Sequence, residues 1–116
     1  RLADAKFSGA KRRLDSLAAV GPRIRTAPRV PSLALRLARV ATGELDGTFT
    51  APNSHDWDLA AADLLVHEAG GLISTLTGQP LIYNRPEPVH GALVAAGRAR
   101  HAVLLSLIRD RLAEFA

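Results

Sequence analysis

The run Trp57-Asp58-Leu59-Ala60-Ala61-Ala62-Asp63-Leu64-Leu65-Val66-His67-Glu68-Ala69-Gly70-Gly71 decides the fold of this chain. Leu59, Ala62, Val66 and Ala69 recur at helical spacing, which predicts a helix from about Trp57 to Ala69 with that face turned inward. Gly70-Gly71 supplies the stop, because a helix end favours a residue free to take left-handed backbone angles. Beyond it, Leu72 to Leu76 is predicted as a strand, Thr77-Gly78-Gln79-Pro80 as a turn and Leu81-Ile82-Tyr83 as the hairpin return. After a loop from Arg85 to Pro88, Ala92 to Ala96 forms a short buried strand. A last helix after Gly97 then buries Leu104, Leu105, Ile108, Leu112 and Phe115.

Upstream of the run, Thr48-Phe49-Thr50 suits a short strand that follows Asp46-Gly47 and is broken by Pro52-Asn53-Ser54. Leu33, Leu37, Val40 and Ala41 make one stripe of a short helix, with Ser32 as its N-cap and Gly43 as its close. Arg23 to Pro31 alternates arginine with apolar residues. Pro28 and Pro31 force their predecessors toward extended geometry, so that stretch is a strand or an extended connector. Asp4 to Ala19 is helix-compatible, burying Phe7, Leu14, Leu17 and Ala18, weakened at Ser8-Gly9 and ended by Gly21-Pro22. Strands alternating with helices predict an α/β fold, a layered α/β sandwich whose sheet is mixed because of the hairpin.

At 116 residues, 47% apolar and 22% charged, the chain fits one ordinary domain with a real core and no disordered tail. The absence of cysteine excludes disulfides, thiolate zinc sites and cysteine nucleophiles, and makes a reducing, cytoplasmic compartment the expectation. No stretch approaches the roughly 18 to 20 apolar residues of a membrane span. With no methionine and no signal-like start at Arg1, residues 1–116 are expected to be one piece of a longer protein. The net charge of +4 rests on thirteen arginines and two lysines, which suit a phosphorylated ligand or an acidic surface. No basic helix interleaved with aromatics points to nucleic acid.

The densest polar cluster, Asn53-Ser54-His55-Asp56-Trp57-Asp58, stands where a loop becomes a helix. Carboxylates there are favoured by about 0.3 to 1 kcal/mol through the helix dipole alone, so capping accounts for part of the pattern. The alternative is a ligand role, because Ala60-Ala61-Ala62 lets a metal, a substrate or another backbone come close to Asp58. A zinc site from His55, Asp58 and His67 fails on length: His67 lies more than two helical turns past Asp58. Asp63 and His67, at i and i+4, form a surface pair, and Arg36 and Arg39 fit a solvated helix face. His90 and His101 have no neighbour in sequence that marks them as catalytic, and Ser8, Ser54 and Ser74 lack a nucleophile-elbow setting.

The run from Trp57 to Gly71 also resembles the C-terminal signature of the inositol monophosphatase superfamily, Mg²⁺-dependent and Li⁺-sensitive phosphomonoesterases. Leu37 to Gly43 with Asp46-Gly47 resembles the family's Val-Ala-Thr-Gly helix end, and Gly70-Gly71 through Pro80 its Gly-Gly, strand and Thr-Gly-x-Pro sequel. The resemblance implies that this is the C-terminal half of an inositol monophosphatase-like fold, with Asp58 as a Mg²⁺ ligand that also touches the substrate hydroxyl. It places Pro31, Ser32 and Leu33 where the family's Gly-Thr-Ala segment meets substrate, with Arg36 one turn further on. A helix start of that kind offers N–H groups to an anion.

Two departures from the family pattern carry weight. Thr50 and Ala51 stand where inositol-specific members place a glutamate, which weakens the case for an inositol-1-monophosphatase, and the basic segment with its Pro31-Ser32-Leu33 entry more closely resembles the branch of 3'(2'),5'-bisphosphate nucleotidases acting on 3'-phosphoadenosine 5'-phosphate. The family's Asp-Pro-x-Asp-Gly-Thr metal motif has no equivalent. Leu45-Asp46-Gly47-Thr48 only imitates its end, which makes Asp46 a turn residue and leaves Asp58 as the sole expected ligand. The piece alone is therefore expected to hydrolyse nothing. Its expected partners are a phosphorylated small molecule, the absent N-terminal half and, through an uncovered apolar face, a second copy. A non-catalytic binding module that keeps the fold is the rival from another class.

Overall fold

In the computed structural model, the described residues are 4–21, 23–27, 32–52, 54–81 and 89–115, with backbone alone at 34, 54–58 and 89–90. Pro22, Pro28, Pro31, Asn53, Ile82, Tyr83 and the expected loop from Arg85 to Pro88 lie outside them.

The chain enters through β1 (Lys6–Ser8), crosses by helix α1 (Lys11–Val20) and returns in β2 (Arg25–Thr26), which runs parallel to β1. The expected helix from Asp4 thus starts only at Lys11. Two forces override the local helical pattern. Phe7 gains a strand on each side, pairing with Thr26 and with Gly47, and Gly9 at φ +155° breaks the turn that a helix would need. The extended connector contributes the two residues of β2, and Ala18 faces solvent rather than the core.

Helix α2 (Leu33–Thr42) and strand β3 (Gly47–Thr50) follow as predicted. Ser32 caps α2 by accepting from the Leu35 N–H at 3.2 Å, and Gly43 closes it at φ +85°. The short β4 (Ser54–His55) leads into α3 (Asp56–Glu68), then β5 (Gly71–Thr75), β6 (Val89–His90) and β7 (Leu93–Gly97). Of the hairpin expected after β5, the described residues show an antiparallel bridge between Ser74 and Pro80, with Gly78 at φ +89° in the turn; the rest of its return lies outside them. The last expected helix is two, α4 (Arg98–Ile108) and α5 (Leu112–Phe115). Leu105 and Leu112 are half-buried, while Leu104, Ile108 and Phe115 are buried as predicted.

Five strands make one sheet in the order β2-β1-β3-β7-β5, and β4 pairs with β6 apart from it. The sheet is mixed: β1 runs parallel to both neighbours, and β7 antiparallel to β3 and β5. Alternation along the strands sends Phe7, Phe49, Val94 and Ala96 to one face and Leu93, Ala95 and Ile73 to the other. Helices α1, α4 and α5 cover the first face. There Phe49 lies between Phe7 and Phe115, with ring centroids 6.3 Å and 5.1 Å away, contacts worth roughly 0.5–1.5 kcal/mol each beyond burial. Helices α2 and α3 pack against each other over the second face, where Leu37, Val40, Leu59, Ala62 and Val66 are buried. Ala69 was expected on that inward stripe, but it lies past the end of α3 and is exposed.

Candidate functional site

The residues assigned to ligands by sequence sit on the α2–α3 layer. Ser32, Leu33 and Arg36 share the first turns of α2, whose initial N–H groups point out of the helix end. Leu33 is half-buried against the core that also holds Leu37 and Leu59. Arg36 departs from the solvated-face reading: it is 8% exposed, held within the fold one turn past the cap. Arg39 keeps to that reading, pairing with Glu44 at 3.5 Å near the surface. Asp58 is the third residue of α3, anchored there by the fully buried Leu59 that follows it; the side chains of His55, Trp57 and Asp58 lie outside the described residues.

Asp46 is a turn residue with a structural task. Its Oδ2 accepts from the Lys6 N–H at 2.6 Å, its own N–H donates to the Lys6 carbonyl at 2.7 Å, and Arg100 lies 3.5 Å away. It ties the loop before β3 to β1 and to α4. Thr50 is equally committed, since its Oγ1 accepts from the Leu93 N–H at 3.2 Å inside the sheet. Ala51, the other position at which the family resemblance expected a carboxylate, is exposed.

No local pattern foretells the pairing of Ser74 and His101, which lie 27 positions apart. Ser74 Oγ stands 2.6 Å from His101 Nε2, both side chains are buried, and the hydroxyl also reaches the Thr75 carbonyl at 2.8 Å. Burial, and then the charge of Arg98, push the imidazole below its ordinary pKa, so it is held neutral. The two residues belong to β5 and α4 on the far side of the sheet from Ser32, which makes them a packing element of that layer. Asp63 and His67 form the expected surface pair at 3.8 Å. On α3 the span from Asp58 to His67 is about 13 Å, too long for one shared ion.

Among the described residues, no group of three or more His, Asp or Glu could hold a metal ion, and no helix is long and apolar enough to cross a membrane. A carboxylate oxygen suits Mg²⁺ in kind, but one carboxylate falls short of the octahedral shell in number. The donor type therefore fits, and the described residues by themselves supply no full donor set.

A mixed sheet lies between helical layers, with the capped start of α2 and position 58 at the head of α3 in the same layer. Residues 4–113 match the model of the inositol monophosphatase family, and the chain belongs to that family. It is 38% identical over 86 residues to the Nus factor SuhB of Escherichia coli K12, covering 74% of this chain and 30% of that protein. It is also 38% identical over 85 residues to an inositol-1-monophosphatase of Mesorhizobium japonicum, covering 72% and 29%. Among solved structures, the extragenic suppressor protein SuhB of Bartonella henselae superposes with a TM-score of 0.68 at 28% identity, over 94% of this chain and 44% of that one. The Thermotoga maritima IMPase gives 0.73 at 21% identity, over 99% and 44%, a likeness of fold. The chain thus spans under a third of these curated relatives and under half of these solved ones.

Proposed function

We propose that residues 1–116 are the C-terminal half of a Mg²⁺-dependent phosphomonoesterase, with Asp58 as a metal ligand and Ser32, Leu33 and Arg36 at the substrate's phosphate side. The observation that carries this reading is the family match across residues 4–113, and position 58 stands in the first turn of α3 just after Trp57. When bound, Mg²⁺ would polarise the phosphate and favour attack by water. This chain's own part is to hold one oxygen ligand on a helix anchored by Leu59 and to present a helix N-terminus to an anion. The remaining ligands come from the absent half, so the 116 residues alone are inactive.

The name of the Mesorhizobium relative favours inositol 1-phosphate as the first substrate. A second reading, 3'-phosphoadenosine 5'-phosphate, has its own support: Thr50 is committed to the sheet and Ala51 bears no acceptor for a sugar hydroxyl. Phosphate release by the complete protein from each substrate, with and without Mg²⁺ and with Asp58→Asn, tests the assignment. Loss of turnover in Asp58→Asn supports it. Unchanged turnover removes Asp58 from the site, and no turnover in the intact protein favours the rival binding module, a role in keeping with relatives named as Nus factors.

A further inference from the structure

On the face of the sheet away from Ser32 lies a cleft of about 300 Å³, lined by Leu76, Thr77, Leu105, Ser106, Arg109 and Leu112. Two chain reversals shape it. The turn after β5 is closed by the Gly78 N–H donating to the Thr75 carbonyl at 3.0 Å and the Thr75 N–H donating to the Gln79 carbonyl at 2.9 Å. That turn approaches α4 so closely that a Cβ on Gly78 would lie 3.0 Å from Leu105 Cδ1. Between α4 and α5 the chain reverses again, with the Arg111 N–H donating to the Ile108 carbonyl at 2.9 Å. Leu76, Leu105 and Leu112 are half-buried against the core that holds Phe7 and Phe49, whereas Thr77, Ser106 and Arg109 are exposed, so an apolar floor carries a polar rim. Arg109 is the one charge among the six. Its partner is Asp110 at 3.8 Å, in a pair exposed by 76% and 86%, which holds the guanidinium only weakly.

We infer that this cleft is a binding site for a small aliphatic monocarboxylate, whose chain lies on Leu76, Leu105 and Leu112 and whose carboxylate meets the Arg109 guanidinium beside the Ser106 and Thr77 hydroxyls. The planar fork of a guanidinium matches a carboxylate with two parallel N–H donors. One cation balances one negative charge, whereas a phosphate monoester would bring nearly two. The volume suits a chain of roughly six to eight carbons, and a mostly apolar lining with a few polar groups at one end orients such a molecule. The cleft is separated by the sheet from Ser32, Leu33 and position 58, and the inference depends on neither a metal nor phosphatase activity.

Equilibrium dialysis of radiolabelled octanoate against the complete protein tests it. One saturable site per chain is expected. Arg109→Gln should weaken binding at least about fivefold, whereas Arg98→Gln, which removes an exposed cation outside the cleft, should leave it unchanged. In competition with unlabelled butanoate, hexanoate and octanoate, affinity should rise about three- to fourfold per added methylene, and octan-1-ol should compete less well than octanoate. Absence of a saturable site overturns the inference. So does an unchanged affinity in Arg109→Gln, or equal weakening by both arginine variants, which would mean a diffuse attraction to the basic surface. A flat chain-length series, or octan-1-ol competing as well as octanoate, overturns it too. The competition series uses the unaltered protein, so it decides even where a variant fails to fold, and dialysis needs no turnover, which keeps its outcome separate from the Asp58 experiment.

Discussion

Arg13 and Phe115, 102 positions apart, are joined by a hydrogen bond in which the Arg13 Nε–H donates to the Phe115 carbonyl at 3.0 Å. Arg12 donates likewise to the Glu114 carbonyl at 2.8 Å, so two guanidiniums meet the carbonyl end of α5, where the peptide dipoles favour positive charge. Burial lowers the Arg13 pKa and the neighbouring charge of Arg12 lowers it further, yet a guanidinium stays protonated. Arg13→Ala leaves a buried carbonyl without its donor and should cost about 1–3 kcal/mol in urea unfolding. Arg12→Ala, at an exposed position, should cost less than about 1 kcal/mol.

The Ser74–His101 pair makes stability depend on pH. The folded state lowers the imidazole pKa, so below the ordinary value of 6.5 the unfolded chain binds more protons than the folded one. The contribution is complete above that value and is lost as pH falls from it toward the depressed folded value. Denaturation midpoints should therefore drop on acidification through this window, and a His101→Gln variant should show a flatter profile there. An unchanged profile in the variant would remove His101 as the cause.

Gly70 and Gly71 should fail for different reasons when replaced by alanine. A Cβ on Gly70 meets open space, so only its φ of +86° resists, costing about 1–2 kcal/mol. On Gly71 it would lie 2.9 Å from both the Ala96 carbonyl oxygen and Val66 Cγ1, wedging β5 from β7 and from α3. That overpacking adds about 1–3 kcal/mol. In one thermal melt series, Gly71→Ala should be the less stable variant and should lose near-ultraviolet signal first.

Ser32 offers a test that separates cap from ligand. Ser32→Ala removes the acceptor for the Leu35 N–H and should destabilise α2 by about 0.5–2 kcal/mol, whereas Ser32→Asp keeps an acceptor there. In the complete protein, Ser32→Asp should hold stability yet raise KM for a phosphorylated substrate, because it adds negative charge where an anion is to sit. Equal KM for wild type and Ser32→Asp would confine Ser32 to capping.

Local chemistry was enough to determine α2, α3, β3, β5 and β7 to within a residue or two. Ser32, Gly43 and Gly70 act within one turn of their own backbone, and the apolar spacing around Leu37 and Leu59 has one helical solution. Of the candidate site, what was legible is the placement of Ser32, Leu33 and Asp58 at helix starts, a feature written in a few adjacent letters.

Tertiary structure alone decided what depends on partners far along the chain. Phe7 is a strand residue because β2 and β3, about 20 and 40 positions on, supply its hydrogen bonds, and a pattern of nearby residues holds no trace of them. His101 found Ser74 across 27 positions and Arg13 found Phe115 across 102. Arg36 was turned inward by packing that its helical spacing does not reveal. Sequence determines a structural element when the groups that stabilise it lie within a turn, and leaves the choice to the assembled fold when those groups come from another layer.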